Sequence, residues 1–470
     1  MYDLFMGVAT DIAEAAARIR ESESVTVVSH IDADGIASSS IMQMALAREQ
    51  IPAVPVFVRQ LEPLTMKHIP RDGSLKLFTD LGSGQQNLLE EAGFSDSEVV
   101  ILDHHIPQPG PANTPYFQVN SQFYGDDYAK CSAAGICYLV ARTLNASNTD
   151  LTKLAVVGNV GDMMAREHGK LTGVAHRIAE DGQQCGQVRI GYGPSCYGVS
   201  TRALHQSLSN CDDPIIPGIS GNAPAAVAFL MRIGIYSSES SSRTFEELNA
   251  DEIRMLSSAL AEQMMANGEA VDRLFAEHYF FPTEQEKTPL RNASEYATML
   301  NACGRWQKPA VGAAVCAGDR GVHYREAEHM LRHHRSIIRE LCEYILDTGV
   351  TEHSSIQSIN TGDKYPDTVV GIGAGMALSK LNPAKPILVI CTVSDEPDLL
   401  KISMRTNERC VRRGVNLQEA LCKAAAEFGG GGGGHNIAAG AYIPKGCEDD
   451  FTRRVNQLIE EQFGSGTAHS

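Results

Sequence analysis

The stretch EVVILDHH, Glu98 to His105, decides how this chain is read. Val99 to Leu102 are continuously apolar, as in a strand buried on both faces of a parallel sheet. An aspartate and two histidines follow without a break. Two imidazoles and a carboxylate at a buried strand end have little structural purpose, so they are candidates for chemistry.

Working outward, three more pieces put carboxylate or imidazole at the end of an apolar segment: SHIDADG (Ser29–Gly35), FTDLGSG (Phe78–Gly84) and VGNVGDM (Val157–Met163). Apolar strands are expected at Ser24–Ser29, Val54–Val58 and Leu75–Thr79, with helices at Gly35–Glu49 and Gln85–Ala92. Ser132–Leu144 and Leu151–Val157 continue as helices or buried segments. Strands alternating with helices predict an α/β fold whose parallel sheet is covered by helices on both faces. In such a sheet ligands bind outside the carboxyl ends of the strands. His30, Asp32, Asp34, Asp80, Asp103, His104, His105 and Asp162 would then converge. Five carboxylates share a small crevice only if cations neutralise them. Mixed Asp and His donors without thiolates suit Mn²⁺ or Mg²⁺, and so many donors imply two ions bridged by a carboxylate.

The 470 residues are 43% hydrophobic and carry a formal net charge of -17. That charge argues against binding nucleic acid over the whole surface, since phosphate contacts need Lys and Arg. It is locally reversed between Lys401 and Ala425, where Lys401, Arg405, Arg409, Arg412, Arg413 and Lys423 face only Glu408 and Glu419. The twelve cysteines form no CxxC pair, and no signal-peptide pattern or membrane-length apolar run is present. These features predict reduced thiols, a cytoplasmic location and no membrane contact.

Four regions are expected: a first domain over 1–195, a helical insertion over 196–321, a connecting helix over 322–348 and a smaller α/β domain over 349–470. In the connecting helix, adjacent His333 and His334 point to different faces, poor geometry for one metal ion. In the last domain an apolar segment at 368–373 leads to a helix at 374–380, and strands are expected in PILVICTV and LKISMRT. A helix over Leu417–Phe428 starts with a capping box, Asn416 with Glu419. It runs into FGGGGGGHNIAAGAYI, Phe428–Ile443. Six glycines make either a linker or a backbone nest for phosphate.

Taken in order, these motifs resemble the DHH phosphoesterase superfamily, whose Asp-His-His is matched by Asp103, His104 and His105. Its DHHA1 subfamily ends in GGGH and small residues, matched by Gly432, Gly433, Gly434, His435 and Ala438–Ala441. Within it the chain resembles the archaeal RecJ-like group, which includes the GINS-associated nuclease and is related to Cdc45. The resemblance implies a DHH domain and a DHHA1 domain, with a Mn²⁺-preferring (or Mg²⁺) exonuclease acting 5′ to 3′ on single-stranded DNA, RNA being cut by some members, in replication and repair. It further implies GINS and the replicative helicase as partners. His30, Asp32 and Asp80 would hold one ion, and Asp34, Asp80, His104 and Asp162 the other. His105 would face the scissile phosphate, Asp103 would orient the histidines, and Arg405 with Gly432, Gly433, Gly434 and His435 would bind substrate phosphate. One residue separates His30 from Asp32, where some relatives have three. The same residues would serve a nano-RNase or a cyclic-dinucleotide phosphodiesterase. A Cdc45-like scaffold would keep the fold with little or no catalysis.

Overall fold

Five parallel strands carry the first half of the chain: β1 (Val25–His30), β2 (Ala53–Val58), β3 (Leu75–Thr79), β4 (Val99–Asp103) and β5 (Phe117–Asn120), in the order β2-β1-β3-β4-β5. β3 and β4 are buried along their whole length; β4 is apolar up to Asp103, and in β3 the one charged residue, Lys76, is buried with its Nζ bonded to Asp72 and Ser74. From β1 the chain builds β2 on one side and β3 to β5 on the other, so the order reverses between β1 and β3. The register pairs Ser29 with Thr79 and Thr79 with Leu102, which sets His30, Asp80 and Asp103 at one edge of the sheet.

The computed structural model describes residues 2–62, 65–107, 116–237, 242–393, 396 and 398–466. Its chain divides into two compact units, residues 1–328 and 329–470. In the first unit, the helix Ala33–Arg48 packs on β1 and against the helices Ala133–Leu144 and Thr152–Gly161. The opposite sheet face buries Val28, Phe78 and Ile101 against Met66, Ile69, Leu89 and Phe94.

The structure divides the stretch read as one insertion over 196–321. Residues 196–274 lie between two antiparallel strands, β6 (Arg189–Pro194) and β7 (Phe275–Phe280), and have their own hydrophobic cluster around Leu208, Leu230, Leu256 and Leu260. The helices Ala293–Arg305 and Pro309–Cys316 instead pack on the helix Ala33–Arg48. Asn301 Oδ1 accepts the Ala33 N–H at 2.9 Å, so this late segment braces the DADG turn.

The long helix runs from Val322 to Thr348, and the division between the units falls inside it. On it His334 is buried, whereas His333 is exposed and stacks on His329. The second unit holds a mixed sheet in the order β12-β13-β11-β10-β9-β8: β8 (Thr351–Glu352), β9 (Gln357–Asn360), β10 (Ile387–Thr392), β11 (Leu399–Arg405), β12 (Gly431–Gly434) and β13 (Ala438–Pro444). Residues 368–373 are not separate from the helix after them; one helix spans Asp367–Leu378. Its Ala and Gly content lets it lie close to β10 and β11. The capping box at Asn416 is half made. Asn416 Oδ1 accepts the Glu419 N–H, but Gln462 Oε1 takes the Asn416 N–H that Glu419 would have satisfied.

Gly304 lies so close to the DADG turn that a Cβ there would stand 1.8 Å from the Ile31 carbonyl oxygen. Gly304→Ala should therefore push the brace off the turn and lower stability by about 1–3 kcal/mol. A fall in the urea midpoint at constant slope would show it.

Candidate metal centre

At the crevice where the strand order reverses, two groups of donors share Asp80. His30, Asp32 and Asp80 form one; Asp80, Asp103, His104 and His105 form the other, each with donor atoms within 4.8 Å of one another. His30 Nδ1 is 3.0 Å from Asp32 Oδ2 and 3.5 Å from Asp80 Oδ2. His104 Nε2 is 3.2 Å from Asp80 Oδ1, 3.5 Å from Asp162 Oδ2 and 3.8 Å from Asp34 Oδ2. The eight residues expected to converge therefore do so.

They are held differently. Asp103 is saturated: its carboxylate accepts the N–H of His104 (2.7 Å), His105 (3.2 Å) and Ser83 (3.0 Å), and His105 Nδ1 at 2.9 Å. Burial would raise its pKa, but the bond from His105, the nearby imidazoles and the Ser83 amide hold it well below the usual carboxylate range. The Nδ1 bond turns His105 Nε2 away from Asp103, and that bond raises the His105 pKa. Asp34 sits at the N-terminus of the helix Ala133–Leu144, accepting Ser132 Oγ–H (2.7 Å), Ala133 N–H (2.9 Å) and Ala134 N–H (3.0 Å). A helix N-terminus favours that negative charge. Burial and the charge of Asp80 nevertheless push the Asp34 pKa up. Asp32 caps its own helix, with Oδ1 accepting the Gly35 N–H at 2.9 Å.

Asp80 is the exception. It has φ +62°, a left-handed conformation that costs a non-glycine residue roughly 1 kcal/mol or more. Its Oδ2 and the Nε2 of His104 are buried with no well-aligned hydrogen bond among the described residues, only the approaches of His30 Nδ1 at 3.5 Å and of Asp80 Oδ1 at 3.2 Å respectively. Buried polar atoms are rarely left so. A divalent cation would satisfy both, so the donor set fits one. His104 shows the same pressure: burial would lower its pKa, yet Asp80, Asp162 and Asp34 raise it to about 10. Burial, with Asp80 and Asp32, raises Asp162 to about 6.

Sequence reading missed the supports behind these groups. Asn120 Nδ2 donates to the His105 carbonyl (2.8 Å) and Gln122 Nε2 to the His104 carbonyl (3.0 Å). Both bond backbone, which leaves no motif to find.

In the second unit the glycines are neither linker nor nest. Gly431–Gly434 form the edge strand β12, paired antiparallel to β13 with Gly433 opposite Gly440. The His435 N–H bonds the Ala438 carbonyl, so by the alternation of antiparallel pairs Gly432 and Gly434 aim their N–H groups off the free edge. Arg405 ends β11. Its Nη1 donates to the carbonyls of Met404 (2.8 Å) and Ala439 (3.4 Å), and no carboxylate among the described residues pairs with it. Burial lowers its pKa.

Three family models match: the DHH family N-terminal domain over residues 24–159, the DHH-CID domain over 196–275 and the DHHA1 domain over 355–461. The chain belongs to the DHH/DHHA1 superfamily. An uncharacterized protein of Methanocaldococcus jannaschii is 28% identical over 446 residues, covering 93% of this chain and 94% of that protein. RecJ of Thermus thermophilus, solved with Mn²⁺, matches with a TM-score of 0.59 at 18% identity over 96% of this chain. This chain spans only 55% of that RecJ. CDC45 of Entamoeba histolytica matches at 0.64 and 12% identity, over 98% of both chains. This DHH/DHHA1 protein thus has a RecJ-like fold, and part of its insertion is a DHH-CID domain.

Two outcomes are expected. A divalent cation held by His104 Nε2 and Asp162 would need both deprotonated, whereas the metal-free protein protonates them below about 10 and about 6 respectively. Uptake should therefore release protons, and affinity should rise with pH; calorimetry in two buffers of different ionisation enthalpy measures this. In the glycine tract, a Cβ on Gly430 would meet the Tyr442 carbonyl at 2.0 Å, whereas one on Gly433 meets nothing within 4 Å. Gly430→Ala should lower the melting temperature and Gly433→Ala should not.

Proposed function

We propose that this DHH/DHHA1 protein is a metal-dependent phosphodiesterase that degrades single strands, DNA first and RNA second, from the 5′ end. The observation that carries this is the pair of buried, unsatisfied donors at Asp80 and His104, set among carboxylates at the sheet's reversal point. His30, Asp32 and Asp80 would hold one Mn²⁺ or Mg²⁺, and Asp80, His104, Asp162 and Asp34 a second. Bound there, such ions supply an activated water and offset charge on the phosphoryl group.

The protein's own groups divide the remaining work. Asp103 fixes the His105 ring with its Nδ1 bonded, so Nε2 can donate to a phosphate oxygen that gains negative charge. Asp34 ties the crevice to a helix end, so its carboxylate geometry is set before substrate arrives. In the second unit, unpaired Arg405 and the outward N–H groups of Gly432 and Gly434, with exposed His435, would bind phosphate.

The likeness to CDC45 raises a scaffold role without catalysis. That reading leaves the strained Asp80 and the unsatisfied His104 nitrogen without a purpose. Single strands of twenty nucleotides, labelled at either end, and a dinucleotide should be offered with Mn²⁺. Loss of 5′-terminal mononucleotides is the expected result, and Asp80→Ala should slow it by at least about 10²-fold. Cleavage of the dinucleotide alone would replace the exonuclease reading with a short-substrate phosphodiesterase, and an equally active Asp80→Ala would sink the metal centre.

A further inference from the structure

The helix Thr152–Gly161 ends on Asp162, and the chain leaves it through Met163 at φ +63°. The Met163 N–H donates to the Val160 carbonyl (3.1 Å) and the Met164 N–H to the Asn159 carbonyl (3.0 Å). These are the two bonds of a Schellman turn, whose left-handed position normally takes glycine. Among the described residues, the other non-glycines at positive φ are Gln50, Asp80, Lys287 and Gln307, all polar. Met163 is the apolar one. It is 57% exposed, so packing within the fold does little to offset its strain.

A second exposed apolar residue adjoins the cluster in the chain. Ile106 follows His105 directly and is 83% exposed. The residues beside these two meet at the centre: Asp162 lies 3.5 Å from His104 Nε2, and His105 Nδ1 lies 3.9 Å from Asp80 Oδ1. Two solvent-exposed apolar residues are thus immediate chain neighbours of a site otherwise made of charge. Strained residues that the fold does not reward gather where ligands bind. A nucleotide presents a flat apolar base close to its phosphate, and the polarizable thioether of methionine contacts such rings well.

We propose that Met163 and Ile106 form an apolar subsite for the base of the nucleotide whose phosphodiester is cut. The proposal rests on the phosphodiesterase reading above. Such a subsite grips any base face, so it sets preference for base-bearing over abasic ends without reading sequence.

Met163→Gly supplies the test, because glycine suits the turn and the variant should melt no lower than the parent. Steady-state hydrolysis with Mn²⁺ would be compared on two single strands, identical except that one has an abasic 5′-terminal residue. The parent should favour the base-bearing strand. Met163→Gly should raise KM on that strand about tenfold, leave KM on the abasic strand within twofold and change kcat little on either. Ile106→Ala should shift the ratio in the same direction. Hydrolysis by both variants with the parent's preference intact overturns the subsite alone. A parent that hydrolyses neither strand overturns the phosphodiesterase reading and the subsite with it.

Discussion

One buried carboxylate organises the first unit. Asp80 leaves β3, the strand between β1 and β4, and so stands where the donors of its neighbours must meet. Three of the other four acids there accept hydrogen bonds: Asp103 has four donors, Asp34 a helix N-terminus and a hydroxyl, and Asp32 a backbone amide and His30. Asp80 keeps one oxygen with no well-aligned donor among the described residues, His30 Nδ1 standing 3.5 Å away, at a backbone angle that most non-glycine residues avoid. The surrounding fold pre-organises anions and leaves the last neutralisation to a cation.

That arrangement explains why the late helix Ala293–Arg305 belongs with the first unit's core. The DADG turn carries two of the donors, and turns are soft. Asn301 bonds it and Gly304 lies against it, fixing this first turn of the helix Ala33–Arg48 from a segment some 270 residues later in sequence. The intervening DHH-CID segment can have its own hydrophobic cluster because its ends are clamped by β6 and β7.

What was legible in sequence follows from this physics. β4 was plain because a strand buried on both faces is mostly apolar, and Asp103 was plain because it breaks that run; β3 was legible despite its buried Lys76, with Asp80 just past its end. Asn120 and Gln122 were not, since a side chain bonding a carbonyl leaves no spacing or composition behind. Asn416 and Glu419 spelled a capping box, and a distant Gln462 took half of it. Helices that pack on the core and helices that pack on one another share the same amphipathic pattern, so the sequence does not separate Ala293–Cys316 from the segment before it.

The glycines were hardest to place because polyglycine encodes no conformation. Linker, nest and strand all suit a residue without a side chain. The neighbours choose: Ala438–Pro444 offers a strand edge, and the Gly431–Gly434 backbone pairs with it. An edge of bare glycine is an aggregation hazard that proteins usually cover or charge. One strand inward, across β13, β11 ends in Arg405, which has no carboxylate partner among the described residues. The edge N–H groups of the second unit and the carboxylates of the first thus carry opposite polarity.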